Sequence, residues 1–354
     1  MLEINFKKGF GSDNHSGIHP HILKALFEVN KSHAPSYGTD SITELVRKKF
    51  CSLFGNNAQP FYVFNGTAAN VLSIKTLIES WQSVLCSDIS HLNIDECGAP
   101  EAIAGVKLIP VKSNSQGKLT PEELEKHMIR LGDQHFSQPG LLSITQPTEL
   151  GTVYTLEELS ELHEFAQKYQ LKIHIDGARL ANAAFYLKVT FKEILQVFPA
   201  DAVSFGGTKN GLLGGEAVLL WNPDHIKKFK YVRKQNLQLP SKMRFLSIQF
   251  YTYLQDDLYL KIAEHSHMMA KLLEEKIKGL PHIHICYPVE SNAVFIQFPK
   301  KWTTSLKENK FFYIWDSQHW IARLMTSFDT TESDINEFQS SLLQLSEKGV
   351  NNEI

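Results

Sequence analysis

The sequence has no apolar run approaching the roughly 18 residues that a membrane-spanning helix needs, so no transmembrane segment is expected. Its opening, Met-Leu-Glu-Ile-Asn-Phe-Lys-Lys, lacks the charged-then-apolar layout of a secretory signal, and a cytoplasmic location is expected. Cysteine is scarce. Cys51, Cys86, Cys97 and Cys286 lie far apart and none forms a Cys-x-x-Cys pair, so reduced, partly buried thiols are expected rather than a zinc or redox motif. An excess of either charge is also missing. With 36 Lys+Arg against 38 Asp+Glu the formal net charge is -2, which argues against a chain whose task is to coat nucleic acid. Neither G-x-x-x-x-G-K-[ST] nor G-x-G-x-x-G occurs, so nucleotide-loop motifs have no support. His-Glu-x-x-His is absent as well, and no metal is expected. Of the His-x-His pairs, the one at 282 and 284 sits in a β-like run where both rings would face one way.

What is present is ordinary in bulk and ordered in pattern. The chain has 354 residues, 43% apolar and 21% charged, enough for two domains or one large domain with a lobe. Short β-like runs at 61–64, 83–86, 106–111, 141–145, 171–175, 202–205 and 216–221 alternate with helical patterns such as 66–80 and 156–169. In the second of these Leu156, Leu159, Leu162 and Phe165 or Ala166 form one stripe, and Thr155 followed by Glu157 and Glu158 suits its start. Strands and helices alternating at this pace predict an α/β fold with a mainly parallel sheet. From about 243 to 278 the pattern is helical. Shorter β runs follow at 283–286, 293–298 and 321–325, then a closing helix at 332–345, which predicts a smaller α+β lobe. The expected division is 1–245, an N-terminal segment and large domain, and 246–354, a small C-terminal domain.

In such sheets ligands bind where strands end, so the turns carry the information. Asn65-Gly66-Thr67-Ala68-Ala69-Asn70 opens a helix whose free N–H groups and dipole suit a phosphate, although the same residues can serve as a plain helix cap. Ser87-Asp-Ile-Ser-His91 carries a histidine able to stack on a planar ring or to sit satisfied in the core. His174-Ile-Asp176-Gly-Ala-Arg179 ends a strand on a carboxylate that needs a cationic or donor partner, and Arg179 could be that partner. Ser204-Phe-Gly-Gly-Thr208-Lys209-Asn-Gly-Leu-Leu-Gly-Gly215 sets one lysine among five glycines (206, 207, 211, 214 and 215). Glycine permits tight turns and close approach of a flat ligand, and a lysine held there can act as an amine nucleophile.

Taken in order, a phosphate-type turn, a stacking histidine, an aspartate and a lysine form the layout of an aspartate-aminotransferase-like, fold type I pyridoxal-phosphate enzyme. The sequence also resembles the threonine aldolase/β-eliminating lyase group, in its low-specificity L-threonine aldolases. The matching segments are Ser12-Asp13-Asn14-His15-Ser16-Gly17, Tyr37-Gly38-Thr39-Asp40, 64–70, His91 with Asp95-Glu-Cys-Gly-Ala-Pro100, 145–153, Asp176-Gly-Ala-Arg179, Gly206-Gly-Thr-Lys-Asn-Gly211 and Arg323-Leu-Met-Thr-Ser-Phe-Asp329.

The resemblance implies a lyase that splits threonine into glycine and acetaldehyde with pyridoxal 5'-phosphate as cofactor. It implies Lys209 as the Schiff-base lysine, Asp176 at the pyridine nitrogen, His91 over the ring, and Gly66, Thr67 and Ala68 at the phosphate. It further implies Ser12, Arg179 and Arg323 at the substrate carboxylate, with Arg179 also beside the cofactor. Tyr37, Lys234 and Arg244 are expected near a subunit interface, the basic pair reaching a neighbour's phosphate in a homo-oligomer, a dimer of dimers. Many relatives carry Thr-His-Asn-Gly after the strand at 141–145. Here Gln146-Pro-Thr-Glu149-Leu-Gly151 places Glu149 where that histidine would be, so the general base is open between Glu149, His91 and a bound water. β-Elimination or transamination on the same scaffold is the alternative reaction. The basic cluster Lys227, Lys228, Lys230, Arg233 and Lys234 is expected to be a solvated or interface helix face.

Overall fold

The computed structural model describes residues 7–350. Seven strands form the large sheet: β1 (Gln59–Val63), β2 (Gln82–Ser87), β3 (Lys107–Val111), β4 (Gln138–Thr145), β5 (Lys172–Gly177), β6 (Ala202–Phe205) and β7 (Glu216–Leu220). Their spatial order is β1-β7-β6-β5-β4-β2-β3. Neighbours from β6 to β3 are parallel, and β7 alone runs against both of its partners. The expected α/β class and mainly parallel sheet are therefore observed.

The strands are apolar because helices cover both faces. Successive side chains alternate between two cores. Val203, Phe205 and Leu219 join one with Phe50, Phe54 and Phe250, while Ala202, Val218 and Leu220 join the other with Leu72 and Phe229. The helix Leu156–Lys168 starts as its sequence predicts. Thr155 accepts from the Glu158 N–H at 3.2 Å, and Glu158 accepts from the Thr155 N–H at 2.8 Å, a reciprocal cap.

A second sheet has the order β10-β11-β9-β8, antiparallel throughout, from β8 (His284–Ile285), β9 (Ala293–Gln297), β10 (Tyr313–Asp316) and β11 (Ile321–Met325). β10 was not expected from sequence; it is a four-residue edge strand, exposed or half-buried throughout, with no apolar alternation to announce it. The helical stretch from 243 also differs from expectation. It breaks into Met243–Leu254 and Leu258–Ile277, because Asp256 and Asp257 take positive φ of 50° and 55°. The expected boundary after residue 245 falls inside the first of these helices. The second helix links both lobes, with Leu258, Tyr259 and Ile262 in the large-sheet core and Ala270, Leu273 and Ile277 in the core of the small one.

The His-x-His pair does not share a strand face. His282 lies in a turn with φ 65°, outside the two-residue β8. Among the described residues no group of three or more His, Cys, Asp and Glu side chains is arranged to hold a metal. No helix among them is long and apolar enough to cross a membrane.

Candidate active site

The turns after β1, β2, β4, β5 and β6 open onto one cavity of about 410 Å³, lined by Thr67, His91, Glu149, Asp176, Arg179 and Lys209 among others. A larger cavity of about 600 Å³ lies between the start of the chain and the small lobe, beside Lys8, Ser12 and Lys310. The first brings Lys209 together with the carboxylates of Asp176 and Glu149 and is the candidate site. Ser12 faces the second and caps a short turn by accepting from the Asn14 N–H at 3.1 Å.

Lys209 follows β6 in a single tight turn, Thr208–Asn210. Its glycines serve the chain more than a ligand. A Cβ on Gly206 would stand 2.0 Å from the Ala178 carbonyl oxygen and one on Gly207 2.4 Å from that of Gly215. Only the smallest residue lets these backbones meet. Gly66 and Gly214 differ: both line the cavity and both have open space where a side chain would go. The Asn210 amide locks the lysine turn by donating to the Ala178 and Gly206 carbonyls, each at 3.1 Å.

Asp176 is buried at the end of β5. One oxygen accepts from the Ala178 N–H at 3.1 Å and the other from the Asn70 amide at 2.9 Å. Its partner is not Arg179. That guanidinium forks onto Asp13 instead, Nε at 2.5 Å and Nη2 at 2.9 Å, and Asn292 donates to the same carboxylate at 3.1 Å. Asp13 is buried: burial alone would raise its pKa, but Arg179, with help from Lys209 and Asn292, outweighs that and holds it below the usual carboxylate range.

The helix Gly66–Leu77 begins at the cavity. The Asn65 side chain accepts from the Ala68 N–H at 2.8 Å, so that donor is already used and the expected Ala68 contact falls away; Ala68 does not line the cavity, whereas Gly66 and Thr67 do. His91 opens the short helix His91–Ile94. Its backbone N–H donates to Glu149 at 3.1 Å, and its Nδ1 lies 2.8 Å from Glu96. The hydrogen bond to Glu96 raises the imidazole pKa above its ordinary value, against the effect of burial. Glu149 is also pushed up, mainly because burial disfavours the anion.

Arg323 stands on β11, its guanidinium 5.0 Å from the Trp315 ring. Its Nε is buried with no hydrogen-bond partner among the described residues. Burial, with Arg179 nearby, lowers its pKa. Tyr37, Lys234 and Arg244 do not line the cavity. Lys234 sits 5.6 Å over the Tyr37 ring, and Arg244 donates to the Lys31 and Ser32 carbonyls. Of the basic helix cluster, Arg233 turns inward, stacked over Phe61 and donating to the Tyr62 carbonyl, while Lys228 pairs with Glu79.

Sequence reasoning gave no role to Asn70, Glu96, Asp13 or Asn292. Asn70 lies one helical turn beyond Gly66, and Glu96 five residues beyond His91. The first spacing puts a polar side chain back toward the cavity and was the available signal; Glu96 lies past the end of the His91 helix and does not line the cavity, and its position carried no such signal.

A family model described as Beta-eliminating lyase matches residues 9–300. The chain is 38% identical to a low specificity L-threonine aldolase of Pseudomonas aeruginosa, covering 93% of this chain and 95% of that one. It is 28% identical to the low specificity L-threonine aldolase of Saccharomyces cerevisiae, over 78% and 70%. Among solved structures, a threonine aldolase of Leishmania major superposes with a TM-score of 0.91 at 27% identity, covering 96% of this chain and 100% of that one.

Proposed function

The chain belongs to the β-eliminating lyase family, and on that premise we propose that it is a pyridoxal-phosphate-dependent threonine aldolase. Its substrates are L-threonine, L-allo-threonine and related β-hydroxy-α-amino acids, which it cleaves to glycine and an aldehyde. The observation that carries the reading is the convergence of Lys209, Asp176 and the open start of the Gly66 helix on one cavity. This donor set suits the cofactor chemically: an amine for its aldehyde, a carboxylate for its ring nitrogen, and backbone N–H groups at a positive helix end for its phosphate. Lys209, Asp176 and Gly66 with Thr67 would hold it in those roles, with His91 against the ring. When bound, pyridoxal phosphate supplies an electron sink conjugated to the substrate amine.

The remaining work falls to the chain's own side chains. Arg323 offers a buried, unpartnered Nε, which a substrate carboxylate can occupy with a charge-assisted hydrogen bond. Asp13 takes two of the five Arg179 donors and leaves the others for the same carboxylate. A substrate held at that end is fixed in orientation, and orientation decides which bond at Cα breaks. Glu149 is the base that takes the β-hydroxyl proton as the Cα–Cβ bond breaks. Its raised pKa brings it nearer neutrality, where a general base works best. His91 is held at Nδ1 by Glu96, which favours its protonated form and makes it the weaker base.

The functional unit is a homo-oligomer, a dimer of dimers, in which Tyr37, Lys234 and Arg244 complete a neighbour's site. Exposed Phe64 and Leu213 beside the cavity support this, since apolar groups of that size at a site mouth suit a covering surface. The expected location is the cytoplasm. Purified protein supplied with pyridoxal 5'-phosphate and L-threonine is expected to release acetaldehyde and glycine in equal amounts. Release of 2-oxobutyrate in place of acetaldehyde would assign it to elimination instead.

A further inference from the structure

The cavity wall behind His91 contains a polar chain that the proposed reaction does not use directly. Glu96 is buried, as is Asn70. The Asn70 amide nitrogen donates to Glu96 Oε1 and to Asp176 Oδ2, each at 2.9 Å. Glu96 Oε1 also lies 2.8 Å from His91 Nδ1. One neutral amide thus joins two buried carboxylates. Because both neighbours are acceptors, Asn70 must present its NH2, and its Oδ1 is left buried without a partner among the described residues, as is Glu96 Oε2. Unpaired buried carboxylates are costly, so each needs a cation.

We propose that Glu96 and Asn70 are positioning residues: Glu96 pins the His91 ring through its Nδ1, and Asn70 ties that pair to the carboxylate of Asp176. The chain fixes the ring of His91 against the cavity and aims the free edge of Asp176 into it. It also joins the outer carboxylate, meant for a bound cationic ring, to an inner one held against the His91 imidazole. Four charged groups face His91: Glu96 from its own turn, Glu149 after β4, Asp176 at the end of β5 and Lys209 after β6. Lys209 opposes protonation and the three carboxylates favour it, with the Glu96 hydrogen bond the largest contribution.

The inference deepens the proposed function, yet its test does not depend on turnover. In the full chain without added cofactor, the His91 ring is titrated by NMR, its signal assigned by its loss in His91→Gln. The midpoint is expected above the ordinary histidine value of about 6.5. Glu96→Gln, which keeps the shape and removes the charge, is expected to lower it by about one unit, tenfold in proton concentration. Asn70→Ala is expected to keep the raised midpoint but weaken pyridoxal 5'-phosphate binding, followed by absorbance, about tenfold. A parent midpoint at or below 6.5, an unshifted Glu96→Gln, or an Asn70→Ala that binds the cofactor like the parent would each overturn the proposal. The parent titration keeps the test decisive if Glu96→Gln fails to fold. A raised, Glu96-dependent midpoint without acetaldehyde release would leave the chain of contacts standing and remove the reaction.

Discussion

Arg323 is the residue whose environment asks most clearly for a partner. Its Nε is buried with no acceptor among the described residues, a costly state for a donor. If a substrate carboxylate fills that place, Arg323→Ala should raise KM for threonine about ten- to hundredfold, the worth of one hydrogen bond to a charged group, with a smaller effect on kcat. Steady-state acetaldehyde release measures both. Parent-like KM would remove Arg323 from the site. Residues of this kind were legible in the sequence when their chemistry was local. Lys209, Asp176 and His91 each follow a recognisable strand, and strand ends are where ligands of such sheets lie. Asn70 and Asp13 were not legible, because each is defined by a partner far along the chain, and Glu96 was not because it lies past the end of the short His91 helix, where no periodicity points it at its neighbour. Asn70 meets Asp176 across 106 positions, and Asp13 meets Arg179 across 166. The Asp–Arg bridge considered from sequence exists, but with Asp13 as the acid.

Among the elements, β6 is the one on which the site depends most. It is four residues long, buried at every position, and leads directly into the Lys209 turn. Its last residue, Phe205, packs edge-on against Phe50, Phe54 and Phe191. Phe205→Ala should destabilise the chain by about 3–5 kcal/mol through lost burial and the cavity left behind. Denaturant unfolding measures this; a change below about 1 kcal/mol would mean that β6 is not held by that cluster. The strands of the large sheet were readable because burial on both faces makes them continuous apolar runs. β10 was not, because an edge strand carries no such requirement, and the break near Asp256 was not, because two left-handed aspartates leave the flanking helical periodicity intact. The glycines around Lys209 were readable as a cluster but not in purpose. Gly206 and Gly207 allow one backbone to pass another, which only the folded arrangement reveals.

Across the whole molecule, two lobes share the helix Leu258–Ile277, and the cavity lies at the edge of the large sheet where five strand-end turns meet. Lys209 lines the cavity from the large lobe, whereas Arg323, on β11 of the small lobe, is not among its lining residues and feels Arg179, Asp13 and Glu149 through their charge. The proposed function requires a single bond, between the Lys209 side chain and the cofactor carbonyl. Borohydride reduction of the protein incubated with pyridoxal 5'-phosphate, followed by peptide mass analysis, tests it most directly. A stable phosphopyridoxyl mass is expected on the peptide that contains Lys209, and its loss in Lys209→Ala. Label distributed over surface lysines with none at Lys209, or no label at all, would contradict it.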